Sequence, residues 1–351
     1  MASSSVNDVG TSDPAWLHAL ENVEHDVYQL PEYVAVSALA DGGEGRALIA
    51  NSQKGHLILP YIRRSISSEM WDAVSPYGYP GPVASSTLDD AELRGLMVDA
   101  LRHLEANKCV SVFLRSHPGF NTTWPNLHVG HEKRRISTPT VVIELAQPAN
   151  ELWHQTISGH RNEINRARRR GYTAEPDPDF ERYEQFIDLY RHSMRSIGAE
   201  EYFLFSDEYF NQLRTQLGKG LVLVVALLNG ELAAGALFTL RGQWVQYHLS
   251  ATDSRHRSSS PSKLIIDSMR AWSKANGFRW LHLGGGRGGH RDSLLTFKAG
   301  FSQKLLTFNA TGLILNSAVY ARLTALSAND PAHDYFPAYR KPPAPTGNDD
   351  K

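Results

Sequence analysis

One lysine stands in an otherwise apolar segment near the end of the chain. Lys298 follows Phe297 and precedes Gly300 and Phe301. A cation held there could stabilise the oxyanion of a tetrahedral intermediate, which is worth roughly 3–4 kcal/mol for a well-placed donor. The alternative is a surface lysine whose aliphatic stem covers the two aromatic rings. We take Lys298 as the first catalytic candidate and Phe297 as a residue of the same substrate pocket.

A histidine and an aspartate occur close together at the end of a predicted strand. His248 lies in the strand, next to Tyr247, and Asp253 lies in the loop that follows. Either could accept the proton of an attacking ammonium, and histidine has the suitable unperturbed pKa range. The alternative is structural: a strand histidine satisfied by a neighbour and a loop aspartate that caps a turn. His248 and Asp253 are therefore catalytic candidates, and Tyr247 is a candidate pocket residue.

A glycine-rich stretch, Gly-Gly-Gly-Arg-Gly-Gly-His, covers residues 284–290. It lacks the Lys-Ser/Thr of a P-loop and does not match the Gly-x-Gly-x-x-Gly that opens a dinucleotide-binding helix. We therefore predict a loop over the site rather than a nucleotide cradle. Arg287 in this loop would be available to an anionic group of a substrate.

A basic helix carries five arginines that could bind phosphate groups. They are Arg161, Arg166, Arg168, Arg169 and Arg170. The alternative is a solvated helix with arginine at its C-terminal end, which the helix dipole favours. The whole chain has 36 Lys+Arg against 37 Asp+Glu. Contact with nucleic acid would therefore be restricted to a local patch.

A rigid loop, Ser-Pro-Tyr-Gly-Tyr-Pro-Gly-Pro, occupies residues 75–82. It is too dense in proline and glycine for a regular element. Ser75, Tyr77 and Tyr79 could line an acceptor pocket. The alternative is a structural crossover.

The sequence offers no obvious nucleophile or metal site. It contains no Gly-x-Ser-x-Gly elbow, and its one cysteine, Cys109, lies in an apolar run where it reads as a buried strand residue. The 15 histidines are scattered along the chain. We expect no cofactor and no metal.

The composition favours a globular protein of two domains. The chain has 351 residues, 41% hydrophobic and 21% charged, enough for two cores. A single cysteine fits a reducing, cytoplasmic compartment. We find neither a secretory signal at the polar N-terminus nor an apolar run long enough to span a membrane.

The elements predict two related halves. In the first, strands 46–51 and 56–62 precede a helix over 89–107 and strands 109–114 and 140–145. In the second, helices 151–171 and 180–197 precede three strands (221–228, 231–241 and 243–250), a helix over 261–276 and a strand over 280–283. Three meandering strands, a helix and a strand form the core order of the GNAT fold. We predict an α/β (α+β) protein of two tandem GNAT-like domains, each a mixed, mostly antiparallel sheet flanked by helices. Their predicted bounds are a tail over 1–13, domains over 14–146 and 147–325, and a largely flexible segment over 326–351.

Several motifs in order resemble the Fem family of aminoacyl-tRNA-dependent aminoacyltransferases. Trp280–Gly286, Phe297–Phe301 and Gly312–Leu315 are similar to the end of a Fem transferase domain. His160–Tyr172 is similar to the family's basic helix, and Ser75–Pro82 to the substrate-side loop of its first domain. The resemblance spans about residues 24–325.

The resemblance implies an enzyme that moves an amino acid from an aminoacyl-tRNA ester to an amine. It implies that Lys298 contacts the acyl end of the donor, and that the five arginines bind tRNA. Fem proteins often carry a helical coiled-coil arm in the second domain, and the segment 180–220 has no room for one. We therefore expect a small-molecule, antibiotic-like acceptor or a peptide.

Two alternatives remain open. One is an acyl-CoA-dependent transferase, although ordinary GNAT enzymes bind pyrophosphate with a glycine-containing loop and the equivalent stretch 254–263 has no glycine. The other is a non-catalytic module that binds a peptide or sugar in the cleft between the halves.

Overall fold

A computed structural model describes residues 5–120, 132–286, 291–326 and 335–341, with the side chains of 132–134 left out. The strands are β1 (Ser5–Gly10), β2 (Glu44–Asn51), β3 (His56–Ser65), β4 (Trp71–Val74), β5 (Val83–Ala84), β6 (Cys109–Arg115), β7 (Glu132–Glu144), β8 (Tyr172–Asp177), β9 (Leu221–Leu228), β10 (Glu231–Arg241), β11 (Trp244–Thr252), β12 (Trp280–Gly284) and β13 (Leu305–Ile314). The helices are α1 (Pro14–Leu20), α2 (Pro31–Asp41), α3 (Asp90–Ala106), α4 (Ala149–Gln155), α5 (Ser158–Arg169), α6 (Tyr183–Ser196), α7 (Asp207–Leu217), α8 (Pro261–Ala275), α9 (Ser293–Ala299) and α10 (Ser317–Leu326).

The strands form one continuous sheet with an internal repeat. Its order is β1-β2-β3-β4-β6-β13-β7-β12-β11-β10-β9-β8, with β5 attached to β3. In each half, antiparallel strands lead through a helix to one parallel pair, which is β4 with β6 in the first half and β11 with β12 in the second. The predicted α/β class and the relation between the halves are confirmed.

The seam of the sheet, where the two halves meet, consists of β6, β13, β7 and β12. It does not follow the predicted boundary at residue 146. Strand β13, from the end of the chain, pairs antiparallel with β6 of the first half and with β7. Strand β7 follows β6 in the chain but pairs with β12 of the second half. Each half therefore completes its sheet with a strand from the other side of the boundary, which fixes the halves relative to each other.

Helices cover both faces of the sheet. On one face, α3 packs against the first half, while α5 and α8 pack against the second. On the opposite face, α1 and α2 pack on the first half and α6 and α7 on the second. Helix α2 also contacts α7. Residues from both halves meet in this layer.

Local sequence explains two of the best-predicted elements. Asp89 caps α3 by accepting from the N–H groups of Ala91 and Glu92, each at 2.9 Å, and Glu92 completes a capping box. Asn229 and Gly230 have φ values of 52° and 82° between β9 and β10. Positive φ at both positions is what a two-residue hairpin turn requires.

The predicted tails are wrong where the structure describes them. Ser5–Gly10 forms β1 and pairs with β2, and Val9 on it is buried. The exposed edge of β2 offers the N–H and C=O groups that make this polar segment a strand. Near the other end, Tyr339 and Arg340 bind Asp72 at 3.0 and 2.6 Å, which anchors residues 335–341 to the first half.

The predicted helix over 151–171 is also wrong, because it is broken into α4 and α5. Thr156 and Ile157 adopt extended backbone angles between them. The N–H of Ile157 donates to the carbonyl of Gly300 at 2.9 Å, and Arg270 donates to the carbonyl of Leu152 at 2.7 Å. Tertiary partners thus replace the helical hydrogen bonds at this point.

Candidate active site

Lys298 lies in the last turn of α9 and is buried, with 8% of its surface exposed. Its Nζ donates to the carbonyl oxygen of Gly285 at 2.8 Å and lies 6.0 Å from the centroid of the Tyr247 ring. Burial lowers the pKa of Lys298 to about 8, against a smaller opposing effect of Asp292. The ammonium is therefore still mostly protonated at neutral pH, in surroundings where it interacts strongly with a developing anion.

The parallel strands β11 and β12 separate beside this lysine. Their pairing runs from Trp244 with Trp280 to Gln246 with His282 and then stops. At this point β11 carries a bulge, because Leu237 pairs with Leu249 and Phe238 with Tyr247. His248 is the residue that has no pairing partner on β10. Bulges of this kind are frequent next to active sites, where they redirect side chains.

Tyr79 reaches the same place from the first half. A Cβ on Gly284, where φ is +78°, would lie 2.7 Å from the Tyr79 hydroxyl and 3.3 Å from Lys298 Nζ. The Tyr79 hydroxyl also hydrogen-bonds the backbone of Gly285. Burial raises the pKa of Tyr79, so its phenol stays protonated. The two halves therefore each contribute one polar side chain to the end of β12.

A chain of buried hydrogen bonds lies behind Tyr79. His282, whose ring centroid is 4.7 Å from that of Tyr79, bonds through Nδ1 to the Oε1 of Gln246 at 2.6 Å. Gln246 Nε2 donates to Asp26 Oδ2, and His117 Nε2 lies 3.1 Å from the same oxygen. Asp26 and His117 come from the first half and the other two residues from the second. The sequence analysis missed these residues, since their positions show no spacing motif; the only signal was a polar residue within each of two apolar strands.

No hydrogen bond joins His248 to Lys298 among the described residues. It lies in an aromatic cluster, with Nδ1 3.4 Å from the Tyr28 hydroxyl and Nε2 3.3 Å from the Tyr209 hydroxyl. Burial lowers its pKa to about 3, partly opposed by Asp26. The imidazole is neutral at physiological pH and is a weak proton acceptor there.

Asp253 has the structural role that the alternative reading gave it. Its carboxylate accepts from the N–H of Arg255 at 2.9 Å and pairs with the guanidinium of the same residue at 2.7 Å. This hydrogen bonding lowers the pKa of Asp253 to about 2. A carboxylate so strongly stabilised is a poor general base.

The other predicted pocket residues, Ser75, Tyr77 and Phe297, contact neighbouring protein groups. Ser75 is buried and its hydroxyl accepts from the N–H of Arg115 at 2.9 Å. Tyr77 is half-buried, and its ring lies 5.6 Å from that of His248. Phe297 packs against His160 and Phe301, each at 5.7 Å between ring centroids.

His160 also explains a glycine of the Phe297–Phe301 segment. A Cβ on Gly300 would lie 2.4 Å from the Nε2 of His160. The same nitrogen is 2.9 Å from the carbonyl oxygen of Phe297. His160 on α5 therefore holds the end of α9, and with it the segment that carries Lys298.

The five arginines of the basic helix differ in what they contact. Arg161 donates to the carbonyl oxygen of His154 at 3.0 Å and supports the break between α4 and α5. Arg168 pairs with Asp267 at 2.6 Å, and Arg170 donates to Ser259 at 3.1 Å. Arg166 and Arg169 are exposed, and we find no partner for their guanidinium groups in the part of the chain that the structure describes. Arg287 lies outside the described residues.

Comparison with known proteins identifies the fold. A family model described as an acetyltransferase (GNAT) domain matches residues 158–292. The crystal structure of FemX has a TM-score of 0.63 and 14% identity, covering 90% of this chain and 99% of that one. A conserved protein of unknown function from Bacteroides thetaiotaomicron has a TM-score of 0.55 and 13% identity, covering 89% of this chain and 100% of that one. The C-terminal domain (DUF2156) of a putative lysylphosphatidylglycerol synthetase from Agrobacterium fabrum has a TM-score of 0.52 and 16% identity, covering 78% of this chain and 88% of that one. No curated protein matches the sequence.

The chain contains a GNAT domain and has the fold of FemX. The predicted Fem-like, GNAT-type fold is thereby confirmed. The GNAT match also agrees with the predicted class of enzyme, an N-acyltransferase. Within the described ranges, no helix is long and apolar enough to cross a membrane. The same ranges hold no group of three His, Cys, Asp or Glu residues suited to a metal ion.

The N-terminus of α8 in the GNAT domain is occupied by an internal carboxylate. Ser260 donates to Glu163 Oε2 at 2.7 Å, and Lys263 donates to the same oxygen. Ser260, which precedes α8, adopts a left-handed conformation and makes no side-chain capping hydrogen bond. Pro261 removes one N–H from this helix end. At the position where an ordinary GNAT enzyme would receive pyrophosphate, the Lys263 ammonium is therefore already paired with a carboxylate.

Proposed function

We propose that this protein is an aminoacyltransferase that moves an aminoacyl group from aminoacyl-tRNA to the amine of a small, antibiotic-like molecule or a peptide. The observation that carries the proposal is the buried ammonium of Lys298. It lies where strands β11 and β12 separate, and Tyr79 of the other half meets it at Gly284. A cation and a phenol contributed by opposite halves suit a reaction between two substrates that enter from opposite sides.

The reaction needs few protein groups. The amine nitrogen attacks the ester carbonyl carbon, a C–N bond forms, and the bond from carbon to the ribose oxygen breaks. The proton lost by nitrogen ends on the departing oxygen, so no further reactant is consumed. Lys298 would stabilise the negative oxygen of the tetrahedral intermediate, and the Tyr79 hydroxyl would orient the carbonyl.

Two features favour an aminoacyl-tRNA donor over acyl-CoA. At the N-terminus of α8, Pro261 removes one N–H donor and the Lys263 ammonium is already paired with Glu163, so fewer groups remain for the pyrophosphate of CoA. Arg166 and Arg169 on α5 are exposed and available to phosphates. A tRNA acceptor stem could cross these arginines and direct its aminoacyl end toward Lys298.

The acceptor side is built by the first half. Tyr77 and Tyr79 belong to a half-buried loop whose rings join a larger aromatic cluster. Residues 183–217 form the short helices α6 and α7, where many Fem proteins have a long helical arm. Both features support a small or flexible acceptor.

The test combines two donors with a matched pair of lysine variants. Loss of aminoacyl ester from total charged tRNA, with candidate amines present, is compared with consumption of acetyl-CoA. Lys298→Ala should slow transfer by about 10²–10³-fold. Lys54→Ala, at an exposed lysine paired with Glu92, should not change the rate. Consumption of acetyl-CoA alone would contradict the proposed donor, and an unchanged rate for Lys298→Ala would contradict the proposed site.

A further inference from the structure

One ring nitrogen of the buried hydrogen-bond chain has no hydrogen-bond partner in the part of the chain that the structure describes. His282 has no exposed surface, and its Nε2 makes no hydrogen bond to any described group. A buried polar atom left unpaired is unfavourable by about 1–3 kcal/mol. Such an atom is expected where a ligand or substrate supplies the missing partner.

The hydrogen bonds of this chain determine which nitrogen of His282 carries the proton. Asp26 offers only acceptors, so the Gln246 amide must direct its Nε2 toward it. The Oε1 of Gln246 then faces His282 and accepts from Nδ1–H at 2.6 Å. The neutral imidazole therefore has its proton on Nδ1 and a free lone pair on Nε2.

Asp26 is itself held by the backbone. Its Oδ1 accepts from the N–H of Val27 at 2.6 Å, and its N–H donates to Gln29 at 2.8 Å. His117 accepts on Nδ1 from the N–H of Gly119 at 3.1 Å, so its Nε2–H donates to Asp26. The carboxylate cannot rotate away without breaking these bonds.

The free lone pair belongs to the same site as Lys298. The ring of His282 lies against that of Tyr79, and Tyr79 and Lys298 meet at Gly284, two residues along the same strand. Burial, His117 and Lys298 all lower the pKa of His282 far below its usual value. The imidazole therefore remains neutral and keeps its lone pair available.

We propose that Nε2 of His282 accepts a hydrogen bond from the N–H of the attacking amine and so holds the amine lone pair toward the ester carbonyl, and that Asp26 and Gln246 are positioning residues that hold the tautomer of His282. This inference rests on the proposed function. As the C–N bond forms and the C–O bond breaks, the proton lost by nitrogen ends on the departing ester oxygen, and His282 stays neutral.

The tautomer can be tested without any substrate. Histidine side-chain nitrogens of ¹⁵N-labelled protein are observed by long-range ¹H–¹⁵N correlation, and His282 is assigned by its loss in His282→Asn. We expect Nδ1 protonated and Nε2 bare in the wild type. In Gln246→Leu, the Nδ1–H of His282 loses its acceptor, so the preference for the Nδ1-protonated tautomer should be lost. Protonated Nε2 in the wild type would overturn the proposal.

The kinetic test uses the full-length protein with charged tRNA and an active amine. The amide of Asn can still donate to Gln246, but His282→Asn removes the Nε2 lone pair that orients the amine, so kcat/KM for the amine should fall by about 10²-fold. Gln246→Leu should lower kcat/KM in the same direction, and its effect should accompany the tautomer change. The control is His56→Asn, because His56 bonds Ala19 at 2.7 Å in the first half, away from this site.

The outcomes separate this inference from the proposed function. If Lys298→Ala slows transfer while His282→Asn and Gln246→Leu do not, the role of His282 is contradicted and the proposed function stands. If none of the three variants slows transfer, the reaction occurs elsewhere and both are contradicted. Thermal unfolding of each variant confirms that it is folded, and Gln246→Leu keeps the test available if His282→Asn does not fold.

Discussion

Replacing Lys298 with methionine should stabilise the protein while removing its activity. Burial lowers the pKa of Lys298 from 10.5 to about 8, which corresponds to about 3 kcal/mol of unfavourable energy for the protonated form in the folded state. Methionine fills a similar volume without a charge. The carbonyl of Gly285 would lose its donor, which costs about 1 kcal/mol. At pH 7 the Lys298→Met protein should therefore be about 2 kcal/mol more stable than the wild type.

The difference should disappear as the pH is raised. Below pH about 8 the lysine is protonated in both the folded and the unfolded state, and the full cost of burial is present. Between about 8 and 10.5 the folded protein loses the proton first, so wild-type stability rises with pH relative to the variant. Near pH 10.5 the cost is nearly gone, and the variant should have no remaining advantage.

Urea denaturation at pH 7 and near pH 10, followed by tryptophan fluorescence, measures both free energies of unfolding. Groups other than Lys298 titrate in both proteins, so their effects cancel in the comparison. Lys54→Met is the matched control, because the side chain of Lys54 is 63% exposed and its removal should change stability little. A Lys298→Met protein that is less stable than the wild type at both pH values would refute the reasoning, since the ammonium would then not be held in desolvated surroundings.

Three further predictions follow from the same site. Gly284→Ala should lower stability by about 2 kcal/mol and slow transfer, because its Cβ would enter the space between two polar groups at a positive φ. Gly230→Ala is the control, because Gly230 also has a positive φ but a Cβ there would meet no atom within 4 Å. In thermal unfolding and transfer assays, this variant should lower stability and leave the transfer rate unchanged. Transfer to an amine that is already neutral at pH 7 should slow as the pH rises through about 8, as Lys298 loses its proton. In a pH–rate profile, Lys298→Arg should remove this decline. Replacing both Arg166 and Arg169 with glutamine should weaken tRNA binding and reduce the slope of log affinity against log salt by about 1–2 in filter-binding titrations.

Features that depend on neighbouring residues could be predicted from the sequence. Asp89 and Glu92 predict the start of α3, and Asn229-Gly230 predicts the turn between β9 and β10. Lys298 was recognisable because the residues around it are apolar. Each of these signals depends on side chains a few positions apart, where the chain itself fixes the distance.

The seam and the hydrogen-bond chain could not be predicted in this way. Strand β13 lies between β6 and β7, and a polar N-terminal segment becomes β1 because an unpaired strand edge is present. Asp26, Gln246 and His282 are ordinary polar residues in the sequence. Asp26 lies 220 positions before Gln246, so no local pattern connects them.

The sequence by itself determined the class of fold and most of the helices and strands. It also singled out Lys298 as a candidate residue. Only the tertiary structure decided that Tyr79 reaches this lysine, that Glu163 pairs with Lys263 at the N-terminus of α8, and that His248 lies among aromatic rings. The physical reason is that burial and hydrogen-bond partners set the charge and tautomer of a group. Those partners come from strands and loops that meet only when the two halves share one sheet.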